Sequence, residues 1–566
     1  MGVTCNRAVV ARPPISLLVV LLLVTAILIG VSLRFFYLTS RELWYDEVLS
    51  LVYAAGGREA YGSPGAIPVA LRDYATFLNL PAESTWSDTL HTFKNILKGV
   101  RRDPHPPLFY LFLHLWMRLF GNGEVAIRSL VALVSIGAIA AAYGFGRMVL
   151  GHRGGLLLAA LLSTSPYYLF HSLNVRMYAP LVLWTIASAW AMLRLIDQQD
   201  EGVPKNRLNH LFWNSLLIGS VAAGLLTQYL FAYWVVTLAV LAFCLDRRRW
   251  WRHALPLGAG VVVTIPWVLW GSLPQLQLAA HIFHQLAAKG GQAAWLKHLH
   301  DAALVLANHF LLGNWTTRLP LTGRLMAGLL VTLLISACTV HLWRLGERKI
   351  LAVVWLLGIF PVILALAIDI GTNNFAVGHG GARAMIFILP GCLLLLALWV
   401  ERATGRWYGP AAAALLVLYL SVSVADLSLN QRRTFRTVAG FIDQQPGMPT
   451  LIAMNSKAWG YVLRLAYYIP LTAPVMLLAE VSARLAPALE TAIRSDAKSH
   501  FRVLWLDSAH PVWSSPATET ERKNIQRILN AGYQPAGIQI LSGMGQTDTF
   551  TLLLYTRSPT TWNAVK

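Results

Sequence analysis

Uncharged runs about as long as a bilayer is thick recur along this chain, and no other feature constrains its fold as strongly. Ile15 to Leu33 is 19 residues without a charge, Ala254 to Leu273 is 20, and Ile350 to Ile368 is 19. A helix rises 1.5 Å per residue, so roughly 20 apolar residues cross roughly 30 Å of hydrocarbon. Charged residues are 13% of the chain, against about 25% in a soluble domain. Such a sequence reads as an integral membrane protein with many transmembrane helices.

Eleven spans follow from the runs: Ile15–Tyr37, Val125–Val149, Gly154–Phe170, Ala179–Ile196, Leu211–Leu226, Tyr229–Leu245, Ala254–Gly271, Leu325–Trp343, Ile350–Ile368, Ala384–Val400 and Gly409–Ala425. Leu211 to Leu245 is 35 uncharged residues, too long for one span, so it reads as a hairpin turning near Thr227-Gln228-Tyr229. Pro106–Phe120 is apolar but only 15 residues, with His114 and Arg118, and reads as a helix in the outer interface. With Arg7 and Arg12 inside, the loops Arg147–Arg153, Arg194–Arg207, Asp246–His253, Arg344–Lys349 and Glu401–Arg406 all become cytoplasmic. Each holds at least two Lys or Arg, as the positive-inside rule requires. Counting Pro106–Phe120 as a span would put the cluster Arg247-Arg248-Arg249 outside.

The net charge of +20 is thereby accounted for beside the membrane, without a nucleic-acid motif. Cys5, Cys244, Cys338 and Cys392 have neither metal-ligand spacing nor the pattern of a disulfide framework. The topology leaves large outer segments at Leu38–Glu124, Ser272–Arg324 and Asp426–Lys566. The last alternates strand and helix signals. His500–Asp507 and Thr547–Tyr555 read as strands, Ser515-Pro516 as a helix start and Gly532 as a helix end. The expected architecture is an all-α polytopic membrane domain over residues 1–425 with outer interfacial helices, then a small α/β extracytoplasmic domain over 426–566.

Four motifs fall on the outer face in this topology. Asp46 and Glu47 follow the first span and suit a general base or a cation site, or both, although taken alone the pair reads better as an ion pair with Arg34 or Arg41. His105, in Asp103-Pro104-His105-Pro106-Pro107, is held in an extended turn by prolines that block helix; the motif equally reads as a turn leading into a helix. Arg176, in Asn174-Val175-Arg176-Met177-Tyr178, can grip a phosphate at two points or simply anchor the interface. Arg383 follows His379-Gly380-Gly381 and offers a second cation. A carboxylate, a histidine and two arginines on one side suit displacement of phosphate from a lipid-borne substrate.

At these residues the sequence resembles the glycosyltransferase C superfamily, in the bacterial branch related to protein O-mannosyltransferases and the lipid A aminoarabinose transferase. The matching elements are Asp46-Glu47, His105-Pro106-Pro107-Leu108, Leu119-Phe120-Gly121 with Arg128, and Arg176-Met177-Tyr178. Arg383 with Leu389-Pro390, and the segment Arg433–Phe441, match more loosely. Arg383-Ala384 stands where the family often has Arg-Tyr, and Thr227-Gln228-Tyr229 where it has Thr-His-Tyr. The resemblance implies an inverting transferase in a bacterial plasma membrane, with its N-terminus cytoplasmic and its C-terminal domain extracytoplasmic. Its donor is a polyprenyl-phosphate sugar and its acceptor a hydroxyl on a glycolipid, polysaccharide or protein. Asp46 is the implied catalytic residue, and Glu47, His105, Arg176, Tyr178 and Arg383 the substrate-binding ones. No obligatory cofactor is expected; a divalent metal is allowed but not favoured. A transporter or flippase of lipid-linked sugars is the alternative, although such proteins place ionisable residues within the spans.

Overall fold

The computed structural model describes residues 16–83, 85–200, 207–278, 294–372, 374–378, 382–429, 432–495, 501–543 and 546–557. Arg7, Arg12, Cys5, residues 379–381 and His500 lie outside the described residues. The chain divides into two compact units.

The first unit comprises residues 1–38, 100–112 and 127–428 and is helical. Among the described residues, six helices are long and apolar enough to cross a membrane, or up to eight when two bent pairs each count as one span. This multi-pass architecture agrees with the sequence, while the count of eleven rests on shorter helices. Phe231–Leu245, for instance, is apolar but only 15 residues long. The two bent pairs are Trp250–Val262 with Ile265–Leu278, at 40°, and Arg348–Gly358 with Phe360–Thr372, at 44°. Pro266 and Pro361 stand just past the breaks, where a missing N–H and a ring clash end the preceding helical turn. The uncharged run 211–245 breaks between helices Arg207–Leu225 and Phe231–Leu245, at the expected turn.

Helix Leu389–Ala403 lies deepest in this unit. The candidate span containing it, Arg383–Ala403, is 94% buried, against 22% for Leu17–Phe36. Its approach to Arg348–Gly358 depends on two glycines. A β-carbon at Gly391 would stand 2.3 Å from the Leu357 carbonyl oxygen, and one at Gly358 2.9 Å from the Gly391 carbonyl carbon. The first of these distances is too short for any side chain. Arg34, buried near the end of Leu17–Phe36, donates to Ser135 Oγ at 2.8 Å and to the carbonyls of Gly30 and Ser163 at 2.7 and 2.8 Å. These bonds offset part of the cost of burying its charge.

The second unit joins residues 39–99 and 113–126 to 429–566, so it is not the continuous tail expected from the sequence. The reason is a backbone ladder. Strand β1 (Val69–Ala70), from the first outer segment, pairs antiparallel with β3 (Val475–Ala479) of the tail. With β2 (Thr450–Met454), β4 (Arg502–Ser508), β5 (Gln534–Ser542) and β6 (Thr549–Thr556) it makes a six-stranded sheet in the order β1-β3-β2-β4-β6-β5. β2 is parallel to β3 and to β4; β6 is antiparallel to β4 and β5. One core packs Leu71, Phe435, Val438, Tyr461 and Leu465 with Ile452 and Leu504. The other packs Leu485, Leu489, Ile525 and Leu529 with Leu451 and Val503, so helices cover both faces.

Both expected strands are present. Helix Glu519–Asn530, however, starts at Thr518 and not at Ser515-Pro516. Thr518 Oγ1 accepts from the Glu521 N–H at 3.3 Å and Glu521 Oε2 from the Thr518 N–H at 2.7 Å, a reciprocal cap that fixes the start. Helix Thr434–Asp443 is started by an anion. Glu42 Oε2 accepts from the N–H groups of Phe435 and Arg436 at 2.7 and 3.2 Å, and Glu42 Oε1 lies 4.0 Å from Arg464. Arg464 in turn grips Asp548 through two bonds of 2.6 and 3.1 Å, all three side chains being buried.

Candidate active site

In the first unit, the turn at 103–107 is built by its prolines and by Asp103. Pro104, Pro106 and Pro107 supply no N–H, so the turn takes its bonds from a side chain. Asp103 Oδ1 accepts from the His105 N–H at 2.9 Å, two residues on, the Asx-turn arrangement. The same oxygen stands 2.6 Å from His105 Nδ1 and accepts from the Tyr110 hydroxyl at 3.1 Å. Arg176 Nη1 donates to the Tyr110 oxygen at 3.2 Å, and Nη2 lies 3.4 Å from His105 Nδ1. An arginine cannot accept, and Nδ1 is 0.8 Å nearer the carboxylate. The Nδ1 proton therefore points at Asp103, the Arg176 approach is a close contact, and Nε2 is the ring atom left for chemistry.

Asp103 is buried, which by itself raises a carboxyl pKa. The His105 ring, its two hydrogen bonds and the Arg176 charge outweigh this and hold the Asp103 carboxyl below the ordinary range. The structure thus brings His105 and Arg176 together and adds Asp103 and Tyr110, which the sequence does not single out. Spacing could have found both. Asp103 stands two residues before His105, and Tyr110 lies in the first turn of helix Leu108–Phe120, which closes on the Leu226 carbonyl through the Leu108 N–H at 3.0 Å.

Tyr178 opens helix Tyr178–Asp200, and its ring centroid is 4.8 Å from that of His171. Arg383 opens the short 3₁₀ helix Arg383–Ile388, just after Ala382 at φ 68°. Tyr167 links them. It lies within electrostatic range of both Tyr178 and Arg383, 4.6 Å by ring centroids from His171 and 4.5 Å from His309. All of these side chains belong to the first unit, and the clustering of Tyr167, His171 and His309 carries no signal in sequence beyond aromatic character. Gln228 Nε2 donates to the Ala384 carbonyl at 3.1 Å, beside Arg383.

Asp46 and Glu47 belong to the second unit, as the second and third residues of helix Tyr45–Ala54. Carboxylates there are favoured by the unpaired N–H groups and dipole of the first turn. Glu47 is buried. Its Oε2 accepts from the Trp44 N–H at 2.8 Å and stands 3.9 Å from the Arg432 guanidinium. Asp46 is only partly buried. On a helix adjacent side chains diverge by about 100°, so the two carboxylates point in different directions. In the same unit His114 is held neutral: Nδ1 donates to the Ala54 carbonyl at 2.8 Å, and Nε2 accepts from Arg118 Nε at 2.8 Å. Arg118 also pairs with Glu83. Among the described residues no group of three or more His, Cys, Asp or Glu could hold a metal ion.

Residues 104–270, which include His105, Arg176 and Tyr178, match the family of dolichyl-phosphate-mannose-protein mannosyltransferases. Among curated proteins, none matches the chain by sequence. The fold matches ArnT from Cupriavidus metallidurans, solved bound to undecaprenyl phosphate. That match has a TM-score of 0.52 and 12% identity, and covers 94% of this chain and 97% of that one. The chain shares the fold of that ArnT structure. The oligosaccharyltransferase of Archaeoglobus fulgidus, solved in complex with Zn and sulfate, is similar at a TM-score of 0.50 and 13% identity, over 96% of this chain and 73% of that one. The match over 104–270 and the shared fold support the resemblance read from the motifs.

Proposed function

We propose that this protein transfers a sugar from a polyprenyl-phosphate carrier to a hydroxyl acceptor on the non-cytoplasmic face of a bacterial plasma membrane, with inversion. The observation that carries the reading is the network Asp103–His105–Tyr110–Arg176, in which Asp103, Tyr110 and Arg176 are buried and His105 is half-buried. It fixes an imidazole and a guanidinium side by side, a pairing suited to phosphate oxygens. The acceptor oxygen bonds to the anomeric carbon while the bond from that carbon to the phosphate oxygen breaks, and the electron pair leaves on the phosphate. Arg176 neutralises that charge, the imidazolium form of His105 can donate its Nε2–H to the same oxygens, and Arg383 is the second cation. Asp46 takes the acceptor proton. Glu47 contributes by capping Trp44 and facing Arg432, which fixes the helical turn that carries Asp46. Tyr178 supplies an aromatic wall. The reading routes no step through a metal.

The fold, the match over 104–270 and the undecaprenyl phosphate bound by ArnT support this reading. The test is transfer of radiolabel from undecaprenyl-phosphate-linked hexoses and pentoses to envelope fractions by the purified protein in lipid nanodiscs. Transfer that Asp46→Asn abolishes supports it. Movement of intact lipid-linked sugar across vesicles, with no bond to the carrier broken, would overturn it in favour of a flippase.

A further inference from the structure

Gln275 lies in the second arm of the bent pair Trp250–Val262 and Ile265–Leu278, three residues past a π-helical turn at Val268–Ser272. A π turn adds a residue to one helical turn and re-aims every side chain after it, and such turns gather at functional sites. Here it accompanies a fully buried amide with all its bonds made. Gln275 Nε2 donates to the carbonyls of Val100 at 2.7 Å and His105 at 2.5 Å, and Oε1 accepts from the Tyr229 hydroxyl. Tyr229 is itself saturated, because Trp267 Nε1 donates to it at 3.0 Å and Ser272 Oγ lies 2.7 Å away. Its single proton is spent on Gln275, so the amide cannot flip without setting its N–H against the Tyr229 O–H and its oxygen against two carbonyls.

We infer that Gln275, fixed by Tyr229, is a positioning residue that holds the His105 backbone and so sets where its imidazole meets the phosphate. The turn 227–229 then serves both Arg383 and His105, Gln228 at the carbonyl beside Arg383 and Tyr229 through Gln275 at His105. The inference rests on the reading of His105 as a phosphate-facing group. Nothing in the side chain of Gln275 is directed at substrate; it acts through His105.

The experiment measures affinity of the full-length protein in nanodiscs for undecaprenyl phosphate, with thermal unfolding followed in parallel. Gln275→Leu removes both donors and is expected to weaken binding about tenfold, since small displacements of a site group carry large penalties. Tyr229→Phe, a milder change for a variant that must fold, is expected to weaken it about threefold. His105→Gln weakens it as well, and the double variant His105→Gln with Gln275→Leu binds within about twofold of His105→Gln alone. Additive losses in the double variant, or an unchanged affinity in Gln275→Leu while His105→Gln is impaired, would overturn the relay and leave the phosphate reading standing. An unchanged affinity in His105→Gln would overturn both.

Discussion

Replacing Asp103 by asparagine separates what the carboxylate does as a charge from what it does as a shape. Asparagine is nearly isosteric, and its carbonyl oxygen can keep the bonds now made from the His105 N–H at 2.9 Å and from Tyr110 at 3.1 Å. What it loses is the charge that draws the Nδ1 proton at 2.6 Å. Hydrogen bonds to charged groups contribute about 1.5–3 kcal/mol and neutral ones about 0.5–1.5 kcal/mol. The expected difference is therefore about 1–1.5 kcal/mol. At 1.36 kcal/mol per decade this is roughly a five- to thirteenfold fall in single-turnover transfer. Asp103→Ala should be worse, because it strands Tyr110 and the His105 N–H in a buried site, adding about 1–3 kcal/mol of lost stability. The assay is transfer under saturating undecaprenyl-phosphate sugar, with melting temperature as control. A rate for Asp103→Asn within twofold of the parent, in a protein where His105→Gln is impaired, would refute the claim that the carboxylate orients the ring.

Arg176→Lys should lower affinity for undecaprenyl phosphate at least tenfold although the charge is kept, because an ammonium cannot hold Tyr110 and a phosphate in one plane; retained affinity would make Arg176 an interface anchor. Asp46→Asn should cost about 10²–10⁴-fold in transfer with donor binding intact, as loss of a general base does. Glu47→Gln should instead show as a lower melting temperature, since Glu47 caps Trp44, and equal rates for the two variants would void this division of labour. The Asp103 carboxyl is held low, so its contribution to stability is present above the unfolded value near 3.9 and is lost only as pH falls through the depressed folded value. Unfolding measured from pH 7 to pH 4 should accordingly show no Asp103-dependent loss, and a gap between parent and Asp103→Asn that closes above pH 5 would contradict this.

The multi-pass character was legible because hydrocarbon thickness and helical rise leave little freedom in run length, and the turn near 227–229 followed from the same arithmetic. The strands β4 and β6 were legible as short apolar runs, Val503–Leu506 and Leu552–Tyr555. The composition of the second unit was not. β1 is two residues long, and its place beside β3 is a backbone pairing across about 400 positions that leaves no local pattern. His105 and Arg176 were legible because proline-bounded and outer-loop polar residues are conspicuous in an apolar chain. Gln275 was not, since a single amide at the end of an uncharged run has the same appearance whether it faces lipid or two carbonyls.

The way the cationic side of the site is held bears on which reaction class it suits. A carrier that alternates its access must let its polar groups exchange partners during each cycle, and its substrate site commonly sits where helices are unwound. Here the bent pair does place a break near the site, but the groups around the break are tied to backbone. Asp103 holds the His105 N–H, Gln275 the His105 carbonyl, and Gln228 the carbonyl beside Arg383. A frame bonded at both the N–H and the C=O of one residue resists reorientation, and freeing it would leave buried polar groups unpaired at about 1–3 kcal/mol each. Fixed dipoles aimed at a developing charge are what lower the barrier to expelling a phosphate, because no reorganisation is needed when the bond breaks. The same rigidity is a handicap for a flippase, and on that physical ground the transferase reading is the stronger of the two.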